Sequence, residues 1–201
     1  MARDAPGGAA GSGPRRWILD GIDGTAVFVK GNDRWQSLIA LEEHGRIVVG
    51  VAILPAQGRV WWAARGAGAF VARFAGTAIA AGERLAVSRT ADLAASALEI
   101  VPPLEALRPD ALAIVARLRA TATPRSWSAH AALLVAAGRL DLAVQVGGAL
   151  WDYAALGLIV AEAGGQFTGA AGQPHPVVGT ALFSNGEPLH TAARMLLRSA
   201  G

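Results

Sequence analysis

Apolar and polar positions change rhythm near residue 90. Before it, short apolar or alternating runs break at glycine: residues 17–19, 35–42, 46–54, 60–64 and 69–72 read as strands, with 84–88 as one more. Glu43-His44-Gly45 reads as a hairpin turn, and Arg65-Gly66-Ala67-Gly68 as a second turn. Beyond residue 90 the spacing becomes helical. Residues 97–101 form a short strand closed by Pro102-Pro103, and 109–120 a helix opened by proline. A second helix over 128–138 stops at glycine, strand 140–146 follows, and 151–164 is a third helix. Strands at 165–168 and 181–184 precede a last helix over 187–199, with Pro188 suited to its first turn.

Strands first and alternating strands and helices afterwards predict an α/β fold, an α+β layered sandwich. Residues 1–16, rich in glycine, alanine and proline, read as a disordered tail. Residues 17–92 then form a strand-rich lobe and 93–201 an α/β lobe, the two making one compact domain. No internal repeat is visible.

Composition narrows the class. The chain has 201 residues, 53% hydrophobic and 16% charged, which suits a folded core and not disorder. Lys30 is the only lysine, so the net charge of +3 rests on arginines spread along the chain. They form no basic stripe interleaved with aromatics, and nucleic acid is not an expected partner. The absence of cysteine excludes disulfides and thiolate metal sites. No apolar run reaches membrane-spanning length and no signal-peptide core is present, so the expectation is a cytoplasmic protein without a membrane partner.

The candidate chemistry is acidic. Residues 17–19 stop at Asp20-Gly21-Ile22-Asp23-Gly24-Thr25, two Asp-Gly steps three residues apart. This predicts a tight, glycine-hinged loop at a strand's end, where open α/β sheets place ligands. Two carboxylates held so close repel unless a cation lies between them, and hard oxygen donors suit Mg2+. The bland alternative is a solvated Asp-Gly turn. Asp152 opens the apolar helix after Trp151, which by itself is an ordinary place for a helix N-terminal acid. Joined to Asp20 and Asp23, it would complete an all-oxygen metal site.

These residues resemble a family. Trp17-Ile18-Leu19-Asp20-Gly21-Ile22-Asp23-Gly24-Thr25 is similar to the W-x-x-D-P-[IL]-D-G-T signature of inositol monophosphatase-like phosphatases. Trp151-Asp152 with Ala154-Ala155 resembles their W-D-x-A-A signature, and Glu162-Ala163-Gly164-Gly165 their E-A-G-G. Gly50-Val51, residues 65–70, Ala137-Gly138-Arg139-Leu140-Asp141 and Ser184-Asn185-Gly186 follow in family order. Trp35 and Trp61-Trp62 lean towards the histidinol-phosphatase-like branch. The resemblance implies a sugar-phosphatase fold and Mg2+-dependent hydrolysis of a small phosphorylated metabolite. It implies Asp20, Asp23, Asp152 and the Ile22 carbonyl as metal ligands. Gly24 and Thr25 would hold phosphate together with Asp152, while Asp23 and Thr25 would do catalytic work, Thr25 by orienting the attacking water.

Departures accompany the matches. The family carries a G-E-E motif upstream, after two N-terminal helices, whose first glutamate ligates metal and helps activate water. Here sixteen residues precede Trp17, Asp4 is their only acid, and no glutamate occurs before Glu42. The expectation is a shortened member lacking that ligand, with a sheet face left for a homodimer or another partner to cover. Gly21 replaces the usual proline and Val27 a common asparagine. His44, His175 and His190 read as structural or surface residues, and His130 as able to face the cleft. Arg125 reads as a surface residue, with an anionic substrate its alternative contact. Trp61 and Trp62 should face opposite sides of one strand.

Three functions fit. The first is a Mg2+-dependent phosphomonoesterase acting on histidinol phosphate, inositol phosphate or a similar alcohol phosphate. The second is a shortened relative redeployed as a non-hydrolytic biosynthetic enzyme or a binding or scaffold protein. The third is one half of a split enzyme.

Overall fold

The structure, a computed structural model, describes residues 13–125, 129–174 and 176–198. The first half is an antiparallel meander: β1 (Arg15–Asp23), β2 (Gln36–Glu43), β3 (Arg46–Leu54), β4 (Arg59–Ala64), β5 (Gly68–Ala75) and β6 (Ala78–Ile79) lie side by side in chain order. A short β7 (Glu83–Arg84) pairs with β5. The second sheet is mixed. It contains β8 (Ala97–Val101), β9 (Thr123–Pro124), β10 (Leu142–Gln145), β11 (Gln166–Gly169) and β12 (Ala181–Ser184), in the order β11-β12-β10-β8-β9. The helices are α1 (Thr25–Val29), α2 (Pro109–Thr121), α3 (Ala131–Ala136), α4 (Leu150–Glu162) and α5 (Leu189–Arg198). Among the described residues, no helix is long and apolar enough to cross a membrane.

Burial periodicity explains the layering. In β2 and β3, Leu38, Ala40, Gly50, Ala52 and Leu54 alternate inward and are buried. Against them lies α4, buried along every side from Tyr153 to Val160, because α3 and the second sheet close its other flank. The second sheet sends Ala143 towards α3 and α4, and Leu142 and Val144 towards α2 and α5. The order is therefore sheet, helices, sheet, helices: an α/β sandwich, as the pattern of elements required.

Contact between α4 and the first sheet is unusually close at Gly50. A Cβ there would lie 2.7 Å from the Ala155 carbonyl oxygen and 3.1 Å from Ala155 Cα. Glycine is needed at this position for space, and the seating of α4 depends on it. On the outer face of the same sheet, Trp17 and Leu19 are each 63% exposed. Trp61 is buried, while Trp62 on the opposite face stacks on Phe70 with ring centroids 5.7 Å apart.

Several boundaries differ from those read in the sequence. Strand β1 starts at Arg15, not at residue 17, since Arg15 and Arg16 pair with Glu43 and Glu42 through both ladder and side chains. Residues 85–88 do not continue a strand: the Leu85 N–H donates to Ala69 and the Val87 N–H to Ala163, so the segment straddles two neighbours. The helix expected over 128–138 is shorter. His130 takes its N-cap position with ψ 134°, and α3 begins at Ala131. The start of that expected helix and His175 lie outside the described residues.

Candidate functional site

The acidic segment is a bulge inside a strand and not a loop beyond its end. In β1, Asp20 still pairs with Leu38, the register slips, and Asp23 pairs with Gln36. Gly21 and Ile22 occupy the slip, fixed by a 2.7 Å bond from the Ser37 hydroxyl to the Gly21 carbonyl. Gly24 then turns the chain into α1 with φ 79°, a left-handed backbone that a side chain would strain. A Cβ there would also stand 3.2 Å from Val27 Cγ2.

The third carboxylate arrives from the buried helix. Asp152 sits in the first turn of α4, and its Oδ2 accepts the Ala149 N–H at 2.6 Å. Seating α4 on the first sheet brings Asp152 to the bulge. One carboxylate oxygen from each of Asp20, Asp23 and Asp152 lies within 4.8 Å of the others. The protein also holds carboxylate oxygens of the trio: Asp20 Oδ1 accepts the Ile22 N–H at 3.1 Å, and Asp23 Oδ2 accepts the Gln36 amide at 2.7 Å.

Electrostatics register the crowding. Burial, followed by the nearby Asp23 and Asp20 carboxylates, pushes Asp152 up to about 7, against the opposing bond from Ala149. A hydrogen bond between Asp152 and Asp20 adds to the rise. Such a trio stores repulsion that a divalent cation would relieve. Three carboxylates without nitrogen or sulfur donors fit a hard ion such as Mg2+.

The remaining residues of the expected site fall around this centre. The Thr25 hydroxyl donates to the Ile22 carbonyl at 2.9 Å, so these two are coupled to each other. Gly24 lies between Asp23 and Thr25 in the chain. Arg125 is exposed and lies apart, lining a cavity with Glu99 and Arg119.

Other family-like motifs serve the fold. Glu162 accepts the N–H groups of Gly66 and Gly68 at 2.9 and 3.0 Å, joining the end of α4 to the β4–β5 turn. Asp141 bonds the Ser88 hydroxyl and accepts the Ala97 N–H, while Asn185 donates to Ser88 and to the Thr90 carbonyl. His190 is buried between the Thr168 and Ser184 hydroxyls, and His44 occupies the β2–β3 turn with φ 49°. All three groups are structural.

Gln36 is the residue the pattern did not announce. It is buried behind Asp23, and only the β1–β2 register, which pairs the two, could have found it. His130 is buried: that burial pushes its imidazole down, and the charge of Asp23 opposes the shift.

Comparison with known proteins shows the family and the fold. The chain is 40% identical to a histidinol-phosphatase of Streptomyces coelicolor, over 89% of its own length and 68% of that protein. It is also 40% identical to a histidinol-phosphatase of Mycobacterium tuberculosis, over 92% and 74% of the two chains. A solved inositol monophosphatase of Thermotoga maritima superposes with a TM-score of 0.79 at 30% identity, over 97% of this chain and 73% of that one. Residues 4–199 match the inositol monophosphatase family, and the chain belongs to that family, on its histidinol-phosphatase-like branch.

Proposed function

We propose that this protein is a Mg2+-dependent phosphomonoesterase hydrolysing a small alcohol phosphate, with histidinol phosphate the first candidate substrate and inositol phosphate the second. The observation that carries this reading is the convergence of Asp20, Asp23 and Asp152 from two distant segments. Clustering three acids disfavours the metal-free fold, and the hydrogen bond that each accepts does not require the three to converge. Similarity to the two histidinol-phosphatases supports the substrate class.

In this mechanism Asp20, Asp23 and Asp152 would hold the cation, with the Ile22 carbonyl as a further oxygen donor. Bound Mg2+ would shield the phosphoryl charge and acidify the attacking water. The Thr25 hydroxyl spends its proton on Ile22, which leaves its oxygen lone pairs to accept from that water and orient it. Gly24 carries no side chain, so phosphate can approach the backbone N–H groups beside it. Asp152 lies on the buried helix beside the β1 bulge, and in this reading it would also border the phosphate.

The test is phosphate release from histidinol phosphate, inositol monophosphate and an aryl phosphate, in Mg2+ or EDTA, beside Asp23→Asn. Mg2+-dependent release, lowered at least about a hundredfold in the variant, is the expected result, since metal and base assistance are each worth that much or more. Release from wild type no greater than from the folded variant would refute hydrolysis and leave a binding role for the same centre.

A further inference from the structure

Strand β1 ends the first sheet, and among the described residues it pairs with β2 alone. An edge of this kind presents backbone N–H and C=O groups to a further strand, and proteins commonly blunt it with lysine or proline. From Arg15 to Asp20, β1 carries neither. Its centre is Trp17-Ile18-Leu19, with Trp17 and Leu19 each 63% exposed. Pro14 closes the stretch at one end and the register slip after Asp20 at the other, which leaves Arg15–Asp20 able to pair.

Symmetry selects the partner and the register. Two copies of an edge strand pair antiparallel about a two-fold axis normal to the sheet, so each face of the sheet continues into the same face of the other copy. Trp17 and Leu19 lie on the exposed face and Ile18 on the buried one, so odd-numbered residues must meet odd and even must meet even. Centred on Ile18, the pairing sets Trp17 opposite Leu19 of the second copy and Arg16 opposite its Asp20. Apolar groups then meet apolar groups and opposite charges meet, in both halves of the contact. Centred on Trp17, it would set Arg16 opposite Ile18; centred on Leu19, it would set Asp20 opposite Ile18. Arg16-Trp17-Ile18-Leu19-Asp20 is self-complementary in the first register and not in its neighbours.

We propose that β1 pairs with β1 of a second copy of this chain, joining the two first sheets into one across an axis at Ile18. Arg16 already holds Glu42 on β2 at 2.9 Å. In the pair it stands between that glutamate and Asp20 of the second copy, so charge alternates along the row. Directly opposed Cα atoms lie about 4.5–5.5 Å apart, so each copy brings a guanidinium alongside the acidic centre of the other. The proposal does not depend on which reaction that centre performs.

Sedimentation velocity and disulfide trapping test it on the whole chain. Wild type, taken up to high-micromolar concentration, should sediment at twice the monomer's 20.5 kDa. Leu19→Lys, checked for native circular dichroism, should return the monomer, because it sets a charge against Trp17 of the second copy. The chain has no cysteine, so introduced thiols report without background. Trp17→Cys mixed with Leu19→Cys should give a disulfide-linked dimer on oxidation. Neither variant alone should, since equivalent positions then lie diagonally across the strands, beyond disulfide reach. Wild type that stays monomeric, a dimer that survives Leu19→Lys, or cross-linking no greater in the mixture than in the single variants would each overturn the proposal. Should Leu19→Lys fail to fold, the cysteine mixture decides.

Discussion

Gly50→Ala is a small change that should damage both the fold and the site. The added methyl would lie 2.7 Å from the Ala155 carbonyl oxygen and 3.3 Å from its carbon, backbone atoms that cannot swing aside. Relief requires α4 to lift from the first sheet by several tenths of an ångström. Two effects oppose each other. Alanine stiffens the unfolded chain, which favours folding by about 0.4–1 kcal/mol where the native backbone tolerates it. Overpacking a closed interface costs about 1–3 kcal/mol, and here it acts on a helix buried from Tyr153 to Val160. The second wins, with a net loss of about 1–2 kcal/mol. For a chain of this size that lowers the melting temperature by roughly 2–8 °C. Asp152 lies three residues before Ala155, on the same helix, so lifting α4 also withdraws a carboxylate from Asp20 and Asp23. Urea denaturation and Mn2+ titration should therefore both report the change, with a lower midpoint and a weaker metal. An alanine variant with a wild-type midpoint would refute the claim that this contact sets the seating of α4. A destabilised variant with wild-type affinity would show that the seating does not place Asp152.

Glu162→Ala removes the acceptor of the Gly66 and Gly68 N–H groups and should cost about 1–3 kcal/mol in urea denaturation, leaving Mn2+ affinity untouched. Burial holds the His190 imidazole down at about 4, with Glu187 pulling up and Arg194 pushing down. The unfolded chain takes up this proton near 6.5, so stability present at neutral pH is lost as pH falls from 6.5 towards 4; His190→Gln should flatten that portion of the curve. Burial pushes Glu99 up to about 7, against the bond from the Ile100 N–H and the charge of Arg34. The folded state keeps a proton that the unfolded state releases near 4.5, so this contribution falls away as pH rises from 4.5 through 7. Glu99→Gln should melt above wild type at pH 8 and with it at pH 4.5, and a lower melting point at pH 8 would contradict the assignment.

Much of this arrangement was legible in the chain. Strict alternation in residues 46–54 can bury only one face of a strand, and Gly50 and Ala52 mark that face as the one a helix approaches closely. Asp20 and Asp23 were legible through type and spacing, and Asp152, an ordinary helix N-terminal acid by itself, only once it was joined to them. What escaped was set by pairing in three dimensions. Gln36 lies between Trp35 and Ser37 and reads as a polar, solvent-facing position. Its burial follows from the alternation that also turns Leu38 and Ala40 inward, and the register slip in β1 sets Asp23 opposite it. The strand expected over 84–88 ended early because alternation was present while its backbone partners lay on two different elements. For His130 the obstacle was local: as the residue capping α3 it could stand inside or outside, and only the packing of α3 on α4 decided.

The distribution of the three acids explains how one fold tolerates them. Asp20 and Asp23 belong to the first sheet, on a bulge whose slip is pinned by the Ser37 hydroxyl, while Asp152 belongs to a helix held between layers. Neither segment alone brings all three carboxylates together. Repulsion therefore appears only when α4 docks on the sheet, and the apolar contact along α4 must outweigh it. Fully burying an aromatic or leucine side chain is worth about 1.5–3 kcal/mol, and α4 buries Tyr153, Leu156, Leu158 and Ile159 in one continuous core. That exceeds the penalty of one carboxyl group raised to about 7. The centre is thus assembled by packing and opposed by its own charge, so a cation that binds there should stabilise the docked helix. Mg2+ should raise the melting temperature of the wild-type protein, and should do so less in Asp152→Asn. An equal rise in both would show that the ion acts elsewhere.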